Sequence, residues 1–255
     1  MSLDYNNILN ISNRSVLNTK ITKAFFLRNF HLSASEKKTL ASIQSMLWLA
    51  SIKPHVANIQ QVENKQYKYE EIQIMICTVA DNKLDNNVWE KHQTLFQKHI
   101  TYQIILIIEN HNEFVINTCD KRINLNDTSK RTIENYYTTP VISKLYKNDI
   151  SSAFFKAIDY SQLNKTNLET TYKSYINAVI QYQTANITGS FIKRPQKRTA
   201  SDMQNLLKIE TLEKDIISLK SQIKKESQLN KKVELNITLQ SKRANIDEIK
   251  NKLSK

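Results

Sequence analysis

A single glycine, Gly189, and three prolines stand in a chain of 255 residues. Sandwiches and barrels need many tight turns with positive φ, which glycine supplies most readily, so such folds are disfavoured and helix should dominate. The same scarcity argues against glycine-rich phosphate loops, because the P-loop and the dinucleotide fingerprint both place several glycines where backbone approaches phosphate. Nucleotide binding of those kinds is not expected. Hydrophobic residues make up 40% of the chain, enough to bury a core in one large or two small domains.

Phe25, Phe26 and Phe30 of TKITKAFFLRNF (19–30) can dock an entry arm onto a core. Ser33 or Ser35 with Glu36, followed by Leu40, Ile43, Met46 and Leu47, predicts a capped helix reaching about Leu49. Pro54 sets the residue before it extended, and a strand is expected to follow. YEEIQIMICTV (69–79) alternates and then becomes almost wholly apolar, as a central strand does when both faces are covered. Asp85 can cap a helix bearing Val88, Trp89, His92, Leu95, Phe96 and His99, which leads into a second buried strand, TYQIILIIEN (101–110). HNE (111–113) then predicts a turn into FVINTC. This order predicts an α/β (α+β) N-terminal domain with a small mixed sheet and flanking helices. IENYYTTPVISKLY (133–146) reads as an irregular or edge segment, followed by helices near 151–160 and 168–188. Leu168, Tyr172, Tyr175, Val179 and Tyr182 recur at helical spacing; the stripe is read as a packing surface, with base stacking as the alternative.

Gly189 closes that helix, and FIKRPQKRTASD, with Pro195 and a hydroxyl-rich end, marks a stop and a new start. The expected division is an α/β domain at 1–190, a basic linker at 191–200 and a coiled-coil or helical tail at 201–255. Net charge is +13, and from residue 193 onward 16 basic residues stand against 8 acidic ones. Such polarisation favours salt-dependent contact with a DNA or RNA backbone, and Lys193, Arg194, Lys197 and Arg198 are the candidate phosphate ligands. The other reading is charge that keeps a linker and a helix face soluble.

In the tail, Ile209, Leu212, Ile216, Leu219 and Ile223 hold 3,4 spacing. The stripe breaks at Glu226 and resumes as Leu235, Leu239, Ile246, Ile249 and Leu253, with Lys242 on the seam. Neither glycine nor proline interrupts KKESQLNKKVELN (224–236). The segment is therefore either one bent helix with a stutter, suited to a dimer, or a helical hairpin turning at 228–231, suited to a monomer. Either makes the tail an association element for a protein partner or a second copy.

LEKDIISLKSQIKKESQLNKKVELNITLQSKRANIDEIKNKL resembles the C-terminal coiled region of the bacterial domain of unknown function 4391 family. Lys225, Glu226, Gln228, Leu229, Asn230, Val233, Glu234, Leu235 and Asn236 carry the match. Upstream, ITKAFF, SMLWLASIKPHVANI, EEIQIMICTV, YQIILIIENHNEFVI and NYYTTP follow the family's order, so the resemblance covers nearly the whole chain. It implies a bacterial cytoplasmic accessory protein encoded beside helicase-like and DNA-methyltransferase-like genes of mobile or phage-defence islands. It supplies no active site to carry over.

Catalytic patterns are sparse. His92 and His99 are seven residues apart on one helix face, about 10 Å and too far to share an ion directly. Cys77 and Cys119 cannot form a zinc site alone, Cys77 falls in a strand expected to be buried, and no Gly-x-Ser-x-Gly elbow is present. No metal or cofactor is expected. Glu71 and Gln73, alternating on the central strand, resemble half of a restriction-nuclease Mg²⁺ site, although the Asp that should complete it is missing and only Glu63 stands near. The polar opening MSLDYNN and the two cysteines point to the cytoplasm, and apolar runs such as MLWLASI (46–52) fall short of the roughly 20 residues that cross a bilayer. The expected function is a noncatalytic, DNA-contacting accessory or assembly subunit. The alternative is a metal-dependent nuclease centred on Glu71 and Gln73.

Overall fold

The computed structural model describes residues 3–80 and 83–254; Met1 and Ser2 of the polar opening and Lys255 of the expected tail lie outside them. In chain order the strands are β1 (Val16–Ile21), β2 (Ile43–Ile52), β3 (Val62–Glu63), β4 (Lys68–Tyr69), β5 (Ile72–Val79), β6 (Gln103–Glu109), β7 (Glu113–Ile123), β8 (Arg131–Thr138) and β9 (Ile142–Ser143). The helices are α1 (Tyr5–Leu9), α2 (Lys23–Asn29), α3 (Ala34–Ser42), α4 (Pro54–Ala57), α5 (Asn86–His99), α6 (Asp149–Ala157), α7 (Leu168–Thr188), α8 (Gln196–Lys225) and α9 (Leu229–Ser254).

A seven-stranded mixed sheet runs in the order β1-β2-β5-β6-β7-β8, with β9 added to β7. Only β5 and β6 pair in parallel, which the crossover through α5 permits; the other pairs in this sheet are antiparallel. Alternation along β5 explains its central place. Ile72, Ile74 and Ile76 face a cluster shared with α6 and α7, while Met75, Cys77 and Val79 face one shared with α2, α3 and α5. The tyrosine stripe of α7 packs inward: Tyr172, Tyr175 and Tyr182 are buried, and the Tyr172 hydroxyl bonds the backbone of Ile104 and Cys119.

Local signals place most helix starts. Asp85 accepts the Val88 N–H at the head of α5, and Ser33 and Glu36 exchange the reciprocal bonds of a capping box at the head of α3. The helix predicted to reach Leu49 instead ends at Ser42, and 43–52 is the strand β2. Leu40, Ile43, Met46 and Leu47 fit a helical stripe, but Met46 and Leu49 to Ile52 are buried by pairing with β1 and β5, and tertiary pairing overrides the ambiguous local pattern. Around Pro54, Lys53 is extended as expected, but Pro54 opens the one-turn helix α4, because its missing N–H costs nothing at a helix start. IENYYTTPVISKLY divides into edge strand β8 and the short β9.

Gly189 ends α7 at φ +82°, its N–H bonded to the Ala185 carbonyl. A Cβ there would meet no atom within 4 Å, so the penalty for a side chain is the backbone's alone. Gly189→Ala is expected to lower stability by about 1 kcal/mol in urea unfolding.

The tail is a hairpin. α8 and α9 are joined at 226–228, where the Glu226 carboxylate accepts the N–H groups of Ser227 and Gln228; the turn lies inside KKESQLNKKVELN but earlier than the expected 228–231, because 229–231 already belong to α9. α8 begins at Gln196 rather than within TASD, which makes the second half of the expected linker helical. Among the described residues no helix is long and apolar enough to cross a membrane.

Candidate functional site

Period-2 alternation puts Glu71 and Gln73 on one face at the start of β5, and both side chains are buried. The Ser51 hydroxyl and the Gln73 amide donate to the same Glu71 oxygen, and the Lys53 ammonium lies 3.9 Å from the other. Ser51 is the cross-strand partner of Gln73. The Glu71 carboxylate thus meets a hydroxyl and an amide rather than a second carboxylate, and Glu63 pairs with Lys68. Among the described residues no three His, Cys, Asp or Glu side chains are placed to hold a metal ion. His92 is buried between the Val88 carbonyl and the Ser42 hydroxyl, and His99 meets Glu36 at 3.0 Å. Burial raises both thiols above their ordinary pKa, so neither cysteine is poised as a thiolate.

Beside Gln73 a cavity of about 500 Å³ opens between β1, α2 and the end of α5. Lys121, fully buried, donates from its ammonium to the carbonyls of two lining residues, Ile100 and Tyr102, at 2.7 Å each. It caps the C-terminal end of α5, where a cation meets the negative end of the helix. Burial pushes its pKa down to about 8. Nothing in the sequence singled out this lysine.

The structure separates the four linker cations. Arg194 pairs with the buried Asp202 at 2.7 Å and donates to the Leu253 carbonyl; Arg198 lies 3.0 Å from the other Asp202 oxygen and donates to the Lys252 carbonyl. Both hold the start of α8 against the end of α9. Lys193 and Lys197 are exposed and form no ion pair among the described residues. The ten apolar seam residues meet one another inside one chain: Ile209, Ile216, Leu219, Leu239, Ile246 and Leu253 are buried, with Leu212, Ile223, Leu235 and Ile249 packed around them. Lys242 enters that seam against Asp215 at 2.7 Å. On the outer side of α9, Leu229, Val233 and Ile237 stay exposed at i, i+4 and i+8.

The family model described as Domain of unknown function (DUF4391) matches residues 9–246. The chain belongs to this family. The DUF4391 match takes in the sheet, both of its covering layers and most of the hairpin, so the two-helix arm is part of the family's own architecture. No curated protein and no solved structure matches the chain.

Proposed function

We propose that this chain is a noncatalytic, DNA-contacting assembly subunit of a bacterial helicase/methyltransferase-type phage-defence or DNA-modification system, working in the cytoplasm. The carrying observation is the distal end of the hairpin. Lys220, Lys224, Lys225 and Lys231 are exposed there with Lys232 half-buried beside them, and none joins an ion pair among the described residues. Lys231 and Lys232 act at longer range on the Glu226 carboxylate, whereas Lys220, Lys224 and Lys225 meet no carboxylate at ion-pair distance among the described residues and are free to neutralise phosphates; α8, 30 residues long, extends about 45 Å. Lys193 and Lys197 add charge at the base, while Arg194 and Arg198 are committed to holding the hairpin closed. The assembly half of the reading rests on Leu229, Val233 and Ile237, an apolar strip facing away from the seam.

Changing Lys220, Lys224, Lys225 and Lys231 together to Gln is expected to weaken duplex binding and to reduce the slope of log affinity against log salt by about 1 for each phosphate no longer neutralised. Fluorescence anisotropy over a salt series measures both, and an unchanged slope overturns the role of the hairpin end. Cleavage of DNA with Mg²⁺ that disappears in Glu71→Gln would overturn the noncatalytic reading.

A further inference from the structure

We infer that the cavity beside Gln73 receives one unstacked base of a single-stranded nucleic acid. The inference rests on the nucleic-acid reading above and adds to it a second site, remote in sequence from the hairpin. The volume, about 500 Å³, is within the range of small-molecule clefts and leaves room for a nucleoside. Five aromatic rings line it: Phe25, Phe30, Trp48, Tyr102 and the His99 imidazole, which packs against Phe30. Phe25 and Tyr102 remain 44% and 38% exposed in the lining, which leaves aromatic surface accessible to an entering base; stacking on aromatic rings is the contact by which single strands are held irrespective of sequence.

Two polar groups in the lining narrow the ligand class: the buried Trp48 indole N–H, which has no acceptor among the described residues, and Gln73. Gln73 is 3% exposed and its amide N–H donates to Glu71. A carboxylate only accepts, so this bond fixes the amide orientation and leaves the Gln73 carbonyl oxygen without a protein donor among the described residues. An aliphatic chain or a phenyl ring entering the cavity would strip water from that oxygen and return no hydrogen bond. A base carries the missing donor on a ring N–H or an exocyclic amine. Charge agrees: no carboxylate lines the cavity, and Lys20, exposed and without an ion-pair partner among the described residues, stands in its lining where the phosphate attached to an inserted base would pass.

Trp48 reports on the cavity once the other tryptophan is removed as Trp89→Phe. In this background the full chain is titrated with a short oligothymidylate and with an abasic strand of equal length. The thymine strand is expected to quench the Trp48 emission and to bind about tenfold tighter than the abasic strand, and Tyr102→Ala or Phe25→Ala should each remove most of that advantage while leaving abasic binding unchanged. Both rings are partly exposed, so these variants should fold. Equal binding of the two strands without quenching overturns the cavity inference and leaves the hairpin reading standing. If neither strand binds, free thymidine decides the cavity, quenching supporting it and silence overturning it, while the hairpin reading is decided separately by the duplex titration. Quenching by a phenylalanine-containing peptide but not by thymidine would assign the cavity to a protein side chain and overturn the inference.

Discussion

Asp202→Ala is expected to lower stability by about 3–5 kcal/mol, the cost of stranding a buried charge. Asp202 is 0% exposed and Arg194, its partner at 2.7 Å, keeps only 8% of its side chain in contact with water. Removing the carboxylate leaves the guanidinium buried beside the Leu253 carbonyl alone. The effect spreads because the arginines also satisfy the last carbonyls of α9, Lys252 and Leu253, which have no partner within their own helix. One acid thus joins the first turns of α8 to the last turn of α9, with Met203 and Leu206 packed against the α7 side of the core just beyond. Asp202→Asn keeps the shape and a hydrogen-bond acceptor and should cost less. Urea unfolding followed by circular dichroism gives the stability, and amide exchange at 250–254 shows whether the α9 terminus frays first. A loss below about 1 kcal/mol for Asp202→Ala would mean that the guanidinium recovers its hydration, and the charge triad would then not be what closes the hairpin.

The residues that carry this latch show where sequence reasoning stops. Four cations in six positions look like a phosphate-binding segment, because the groups that engage two of them are an aspartate read only as part of a helix start and two carbonyls more than fifty residues away. Charge type is visible in sequence, but long-range pairing is not. The seam itself was legible, since an apolar stripe with 3,4 spacing and one break needs no distant information to be drawn. Whether it folded on itself or on a second copy turned on the short polar stretch at 226–228, where propensity is nearly neutral. Likewise, Glu71 and Gln73 could be placed on one face from strand periodicity, but Ser51 could not be set opposite them while the run before it, up to about Leu49, was read as a helix rather than a strand pairing with β5. The cavity was illegible for a related reason, being walled by residues from 19 to 102 that only the sheet order brings together.

Lys121 offers the sharpest pH signature. Its pKa of about 8 in the folded chain, against an ordinary 10.5, arises first from burial, with smaller effects of Cys119 and Arg131. Between those two values the unfolded chain binds a proton that the native state lacks, so this group's contribution to stability rises with pH, by about 3 kcal/mol over the whole window, and is constant below it. The bonding explains why the fold tolerates the change: a neutral amine still has two N–H groups, enough for the carbonyls of Ile100 and Tyr102, so deprotonation removes the cost of a buried charge and keeps both bonds. Other groups act in the opposite sense. Cys77 and Cys119, and buried tyrosines such as Tyr69 and Tyr175, have raised pKa values, so they favour unfolding once their counterparts in the unfolded chain ionise, from about pH 9 upward. The overall curve therefore turns over, and Lys121 must be read as a difference. Lys121→Met carries no proton in either state, so the stability of the wild type relative to this variant should climb from pH 8 towards 10.5 when both are unfolded in urea at each pH. A flat difference would show an ammonium that keeps its proton, and its water, throughout that range.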